Sequence, residues 1–327
     1  DGTGVLTFRK WHCPHCLTAK QGDTTVYFHT ALEAKLVTPS GLALSMGTEF
    51  VENSGQAASP NGPGPVPRDT EVFKQDCELK AFRRLAVTLK HDFPQTPICL
   101  AGDSLYACGT VLTIAEECGW SYVLTFKEGR MPEVWNEFNS LLDQAPENAL
   151  SMCLVDNTEQ VYRWVNDLAY EDDRGRSHVF SAFSCREKRP DGTAGFFAWI
   201  TDHRVSSNNV AELAARGGRI RSKIENEGFN MQKNGGLNLE HAYSKNWEIE
   251  KAYYCLLQIG HILLQLLEKG SLLEELARAA KKTVVRLFGS LKNVARRLLE
   301  SFRFCKIPDE DFDPLLAARI RVSLNTS

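Results

Sequence analysis

The sequence predicts an α/β fold: a mixed β-sheet flanked by helices, with a β-rich stretch in the middle and a helical C-terminus. Three observations predict it. Alternating apolar and polar residues mark three extended runs within the first 51 residues, joined by links short enough for an antiparallel meander. Residues 98–126 hold an apolar run, a helical pattern and a second apolar run, the layout of a right-handed parallel βαβ unit. From residue 208 onward apolar residues recur at helical spacing.

The elements follow in order. Residues 5–8 continue a first strand, and Trp11-His12-Cys13-Pro14-His15-Cys16 makes a turn. Residues 25–29 and 31–37 form the returning strand and 42–51 the third. Segment 53–69 is too rich in Gly, Pro and Ser to pack and is expected to be a mobile loop. Asp69 or Thr70 can cap a helix over 71–91, where Phe73, Cys77, Ala81, Leu85 and Leu89 recur at helical spacing. A strand over 98–101 leads to Asp103, a helix over 106–118 crosses back, and a strand over 120–126 delivers Lys127 to the same sheet edge, where ligands collect in such units and Lys127 could reach a phosphate. Residues 131–142 read as a helix. Alternating runs at 160–168, 178–185 and 195–200 are separated by Asp172-Asp173-Arg174-Gly175 and Arg189-Pro190-Asp191-Gly192, which are hairpin signals. Tyr162, Trp164, Phe197 and Trp199 could stack on an exposed base, but in small β modules such rings more often form core. A long apolar helix is expected over 247–267, presenting Tyr253, Leu256, Ile259 and Leu263, followed by basic amphipathic helices over 273–288 and 291–302.

At 327 residues the chain can hold one large core with an insertion, or two domains. Its 43% hydrophobic and 24% charged content is that of ordinary globular proteins, and no apolar run reaches the ~18 residues that span a bilayer. There is no signal peptide, and the start on Asp1 rather than Met is read as N-terminal truncation. A net charge of −3 excludes a wholly basic nucleic-acid binder, yet residues 271–306 concentrate Lys and Arg, and such a patch attracts phosphates whatever the global sum. Ten irregularly spaced cysteines in a chain of this length point to a reducing compartment rather than a disulfide framework.

The most informative run is 219–233. Arg221 and Glu225 sit at i,i+4, while Ile220, Ile224 and Phe229 mark a docking flank. Read by itself this is an amphipathic helix with a solvated charge pair. However, Arg221-x-x-x-Glu225 followed by Lys233 resembles the Tyr-Arg-Glu-Lys signature of the DDE transposases of bacterial insertion sequences of the IS-four type. The resemblance extends upstream to Asp1 in Asp-Gly-Thr-Gly and to Asp103 after the apolar run 97–101, and covers residues 1 to about 270. Two departures stand out: Lys233 is one residue beyond the family spacing, and Gly218 occupies the place of the signature Tyr.

The resemblance implies a ribonuclease-H-like core in two parts, 1–150 and 204–270. A β-rich insertion (151–203) separates them, and a basic helical region (271–327) follows. It implies that Asp1, Asp103 and Glu225 hold two Mg²⁺ ions, which Mn²⁺ can replace, with Asp1 bridging. Two such ions activate the attacking oxygen and relieve charge on the departing one. Glu227 lies about 200° farther round an ideal helix, so it and Glu225 cannot face the same ions, and the spacing after Arg221 favours Glu225. Arg221, Lys223 and Lys233 would grip phosphates. The implied activity is strand cleavage at transposon ends and strand transfer to target DNA, by a homodimer on DNA in the bacterial cytoplasm, with no membrane partner. Two alternatives remain: a decayed or domesticated element that binds DNA without cutting it, and a ribonuclease-H-like nuclease without strand transfer.

A second motif is independent of these acids. Cys13-Pro14-His15-Cys16 has the C-x₂-C spacing of a zinc half-site, with His12, His15 or His29 as possible further ligands and Cys77 or Cys185 as donors that folding could bring in. The alternative is a pair of surface hairpin cysteines.

Overall fold

A computed structural model describes residues 1–53, 75–269 and 274–304. In chain order its elements are β1 (Gly2–Phe8), β2 (Leu17–Gln21), β3 (Thr24–Val37), β4 (Ala43–Val51), α1 (Glu78–Asp92), β5 (Cys99–Gly102), α2 (Gly109–Cys118), β6 (Ser121–Thr125), α3 (Pro132–Gln144), β7 (Ala149–Cys153), β8 (Glu159–Glu171), β9 (Ser177–Lys188), β10 (Ala194–Thr201), α4 (Val210–Glu212), α5 (Asn230–Asn234), α6 (Trp247–Lys269), α7 (Glu274–Ala279), α8 (Val284–Phe288) and α9 (Leu291–Phe304). They belong to two compact units, one formed by Asp1 with Cys77–Ser222, the other by Gly2–Asp76 with Lys223–Ser327.

The first unit is built on a six-stranded mixed sheet of order β5-β6-β10-β9-β8-β7, in which β5 and β6 are parallel and the other neighbours antiparallel. The β-rich stretch is therefore continuous with the βαβ unit. The expected hairpins form because Asp172 accepts the Arg174 and Arg176 N–H groups and Asp191 that of Thr193, while Gly175 and Gly192 adopt φ of 74° and 84°. Tyr162, Trp164 and Trp199 are buried with Val123, Phe183 and Val210, so three of the four flagged aromatics are core, with Phe197 packed on their margin. α2 begins three residues later than expected, at Gly109, because Asp103 to Cys108 form tight turns.

Helical backbone continues from α4 through a wide i→i+5 segment, Leu213–Gly218, and a tight 3₁₀ turn, Arg219–Arg221, both packed on β5. Two glycines allow the approach. A Cβ on Gly217 would lie 2.5 Å from Val123, and one on Gly218 would lie 2.3 Å from the Trp199 indole. The Trp199 ring thus leaves no room for a side chain at Gly218. Gly218→Ala is expected to lower stability by about 1–3 kcal/mol through overpacking, outweighing the ~1 kcal/mol that alanine gains in an open helix. Urea unfolding checks this: a higher midpoint in the alanine variant contradicts it.

In the second unit β3 is the axis of a four-stranded antiparallel sheet, pairing with β1, β2 and β4. The expected meander is present, but it has its own sheet rather than opening the one that carries Asp103, and β2 is an additional strand. The predicted loop 53–69 lies, from residue 54, outside the described residues, as does the proposed start of its following helix. That helix begins at Glu78, with Cys77 extended at φ −147°. Just before it, Gln75 bonds the Thr18 backbone and Asp76 bonds Asn53 and the Glu52 N–H, which holds those residues out of a helix.

α6 forms where a long apolar helix is expected. Of the apolar residues marked on it, Leu256, Ile259 and Leu263 are exposed, whereas Tyr254, Leu257, Gln258, His261, Leu264 and Gln265 are buried. Gln258, His261 and Gln265 meet Gln232 and the β3–β4 strands in a hydrogen-bonded network that satisfies them. The first basic C-terminal helix is broken in two: Lys281 takes φ of 50° and the Thr283 side chain caps α8 by accepting the Arg286 N–H.

Candidate functional site

Asp103 follows the last residue of β5, at the C-terminal end of the parallel pair. Its Oδ1 accepts the Leu105 N–H at 2.7 Å and its carbonyl accepts the Tyr106 N–H, so a turn fixes its position just beyond the strand. Asp1 belongs to the same unit and pairs with Arg221, Nη1 to Oδ2 at 2.5 Å, both side chains being largely shielded. Arg221 is held in the 3₁₀ turn that packs on β5. Two of the three predicted acids and the predicted arginine therefore lie in one unit, around one strand. Arg219, adjacent in the same turn, does something else: it pairs with buried Glu187 at 2.7 Å and stacks over Phe197 at 4.3 Å, both of which secure the turn to the sheet.

Glu225 lies in the second unit, exposed, in the wide-turned segment Ile224–Phe229. Such i→i+5 turns occur frequently at functional sites. Its competitor Glu227 is occupied with Lys223 at 3.3 Å and Lys269 at 3.4 Å. Lys233 pairs with Glu240 at 2.7 Å, and Lys127 is exposed beyond β6. The residue at the family's lysine spacing is Gln232, fully buried and hydrogen-bonded to Gln258, which itself accepts from Lys35 Nζ at 2.8 Å. Substituting a charge there would require a partner, and the polar network already contains the Lys35 cation.

One feature was beyond sequence reading. α1, α2 and the β8–β9 turn border an open cleft of about 540 Å³ in the first unit, lined in part by Arg83, Lys90, Arg174 and Arg176. Its cations are partly committed: Arg176 meets Glu117 at 3.1 Å and Lys90 Nζ bonds the Cys118 carbonyl at 2.9 Å.

A second constellation is better defined. Among the described residues, Cys13, Cys16 and His29 are the three whose metal-ligating atoms all lie within 4.8 Å of one another. The turn after β1 brings the cysteines together, with the Cys16 N–H on the Cys13 carbonyl and the Cys13 N–H on Cys16 Sγ. The β1–β3 register sets His29 opposite Leu6, from where its ring reaches both sulfurs. Burial pulls the His29 pKa down to about 4 and pushes the Cys16 thiol up to about 11, so the imidazole is neutral at physiological pH. His15, the nearest candidate in sequence, instead bonds the Asn53 carbonyl, and His12 stacks on Tyr27.

Among the described residues no helix is long and apolar enough to cross a membrane. The chain matches no protein-family model and no curated protein.

Proposed function

We propose that this chain is the catalytic part of a bacterial DNA transposase that cuts strands at transposon ends in the cytoplasm and joins the freed 3′-hydroxyl to target DNA as a homodimer. The observation that carries the reading is the position of Asp103 at the C-terminal end of a parallel strand, beside the turn in which Arg221 holds Asp1. Asp1, Asp103 and Glu225 are the carboxylates that would hold Mg²⁺, with Mn²⁺ able to replace it. Their hard oxygens suit such an ion, and Asp103 Oδ2 takes no hydrogen bond among the described residues. The assignment of Glu225 to this set rests on the sequence signature, supported by the engagement of Glu227 elsewhere. The ribonuclease-H-like assignment belongs to the same proposal; the parallel β5-α2-β6 unit supports it, whereas the separate sheet of β1 to β4 departs from a single-sheet arrangement.

When bound, divalent ions lower the charge on the scissile phosphate and the departing oxygen. The chain's own groups do the positioning. Arg221, anchored by Asp1, presents a guanidinium whose direction is set by the turn, a suitable donor for a flanking phosphate. Lys127, Lys223 and Lys233 add cations that steer and retain the DNA backbone irrespective of sequence. The test is cleavage and joining of end-containing DNA in Mg²⁺, with Glu225→Gln beside the wild type. The reading predicts that both reactions need the metal and that the variant loses both. Cleavage that survives Glu225→Gln sinks it, and cleavage without joining would make the chain a nuclease.

A further inference from the structure

We propose that Cys13, Cys16 and His29 hold a structural zinc ion that ties the β1–β2 connection to β3. The inference stands apart from the transposase reading. Cys13 Sγ and Cys16 Sγ are 3.6 Å apart, and His29 Nε2 lies 3.4 Å from the first and 3.3 Å from the second. A tetrahedral Zn²⁺ with Zn–S of about 2.3 Å and Zn–N of about 2.0 Å sets these edges at roughly 3.8 Å and 3.5 Å. The three atoms thus already form one face of such a tetrahedron to within a few tenths of an ångström.

The donor set selects the metal. Two thiolates and an imidazole are soft to borderline ligands, which favour zinc over Mg²⁺ or Ca²⁺. The sulfurs are much too far apart for a disulfide, whose bond is about 2.05 Å. The site is also built for rigidity. Cys16 and His29 are 5% and 1% exposed, and the His29 ring stacks on Trp247 at 3.7 Å with an interplanar angle of 13°. Trp247 is fixed in turn by its indole N–H on Glu52. Among the described residues, buried His29 Nδ1 has no hydrogen-bond partner, so stacking rather than a bond at that nitrogen aims Nε2 at the sulfurs. Without a metal the three groups satisfy one another only through weak sulfur contacts, whereas zinc converts the same contacts into three bonds and closes a connection of eight residues onto β3. The fourth vertex falls to solvent or to a donor outside these three residues.

The full chain, purified without chelator and dialysed against Zn²⁺, is expected to carry one zinc per chain by mass spectrometry. Replacing zinc with Co²⁺ should give a thiolate-to-cobalt charge-transfer band together with the intense d–d bands of tetrahedral cobalt. Cys13→Ser should weaken metal binding at least about tenfold, while Cys153→Ser, an exposed cysteine of the other unit, should leave it unchanged. Full zinc retention by a folded Cys13→Ser variant would overturn the proposal. So would a wild-type chain lacking the charge-transfer band after cobalt loading, a readout that holds even if the cysteine variants fail to fold.

Discussion

On the proposed transposase reading, Asp103→Asn is expected to reduce Mg²⁺-dependent cleavage of transposon-end DNA by about a hundredfold to a thousandfold, the usual effect of removing one group that stabilises charge in a transition state. Its stability should stay within about 0.5 kcal/mol of wild type. The geometry makes this pair of outcomes specific. The structural duty of Asp103 is carried by Oδ1, which accepts the Leu105 N–H, and an asparagine carbonyl can accept the same bond. What asparagine removes is the negative charge at the end of β5. Asp103→Ala removes the turn bond as well, so it should lose activity and also stability, by about 1 kcal/mol. Cleavage assays beside urea unfolding separate the two roles. Wild-type cleavage by the asparagine variant would mean that the acid serves only the turn, and the metal-holding assignment of Asp103 would be withdrawn.

The parts of the fold that local chemistry dictates could be read from the sequence. The β8–β9 and β9–β10 hairpins carry their own turn residues, and the β5-α2-β6 unit is written as two apolar runs around a helical pattern. The parts that tertiary contacts dictate could not. On α6 periodicity marks Leu256, Ile259 and Leu263, yet the face that packs is the one whose Gln258, His261 and Gln265 find hydrogen-bond partners more than 20 residues away or on strands from the chain's start. β2 was missed because only Leu17 of its five residues is buried, so it has no hydrophobic alternation to detect.

The candidate sites divide along the same line. Cys13 and Cys16 are three residues apart and visible as a motif, but the choice of His29 over His12 and His15 depends on strand register, which pairs Leu6 with His29. The Asp1–Arg221 pair joins residues 220 positions apart and has no local trace. Gly218 looked like a defect in a signature, and only the position of Trp199 shows why no side chain fits there.

The second large effect is expected at Lys35, whose side chain is entirely buried together with that of Glu33. Lys35 Nζ lies 3.2 Å from Glu33 Oε2 and donates to Gln258 at 2.8 Å, while Ser45 and Thr48 hydroxyls donate to the same carboxylate. Burial holds the Lys35 pKa below the usual lysine value, and the neighbouring Glu33 carboxylate opposes that shift. Lys35→Met leaves Glu33 buried without that partner, and should destabilise the second unit by about 3–5 kcal/mol. Glu33→Gln added to Lys35→Met removes the stranded charge while keeping an amide oxygen and an amide nitrogen beside the Ser45 and Thr48 hydroxyls, and should restore a large share of the loss. Amide hydrogen exchange along β3 and β4 reads the effect inside this unit without assuming that the whole chain unfolds in one step. If Lys35→Met leaves protection of those strands unchanged, the pair contributes nothing measurable. If the double variant is as unstable as the single one, the cost arises from lost packing of the lysine stem rather than from an unpaired carboxylate.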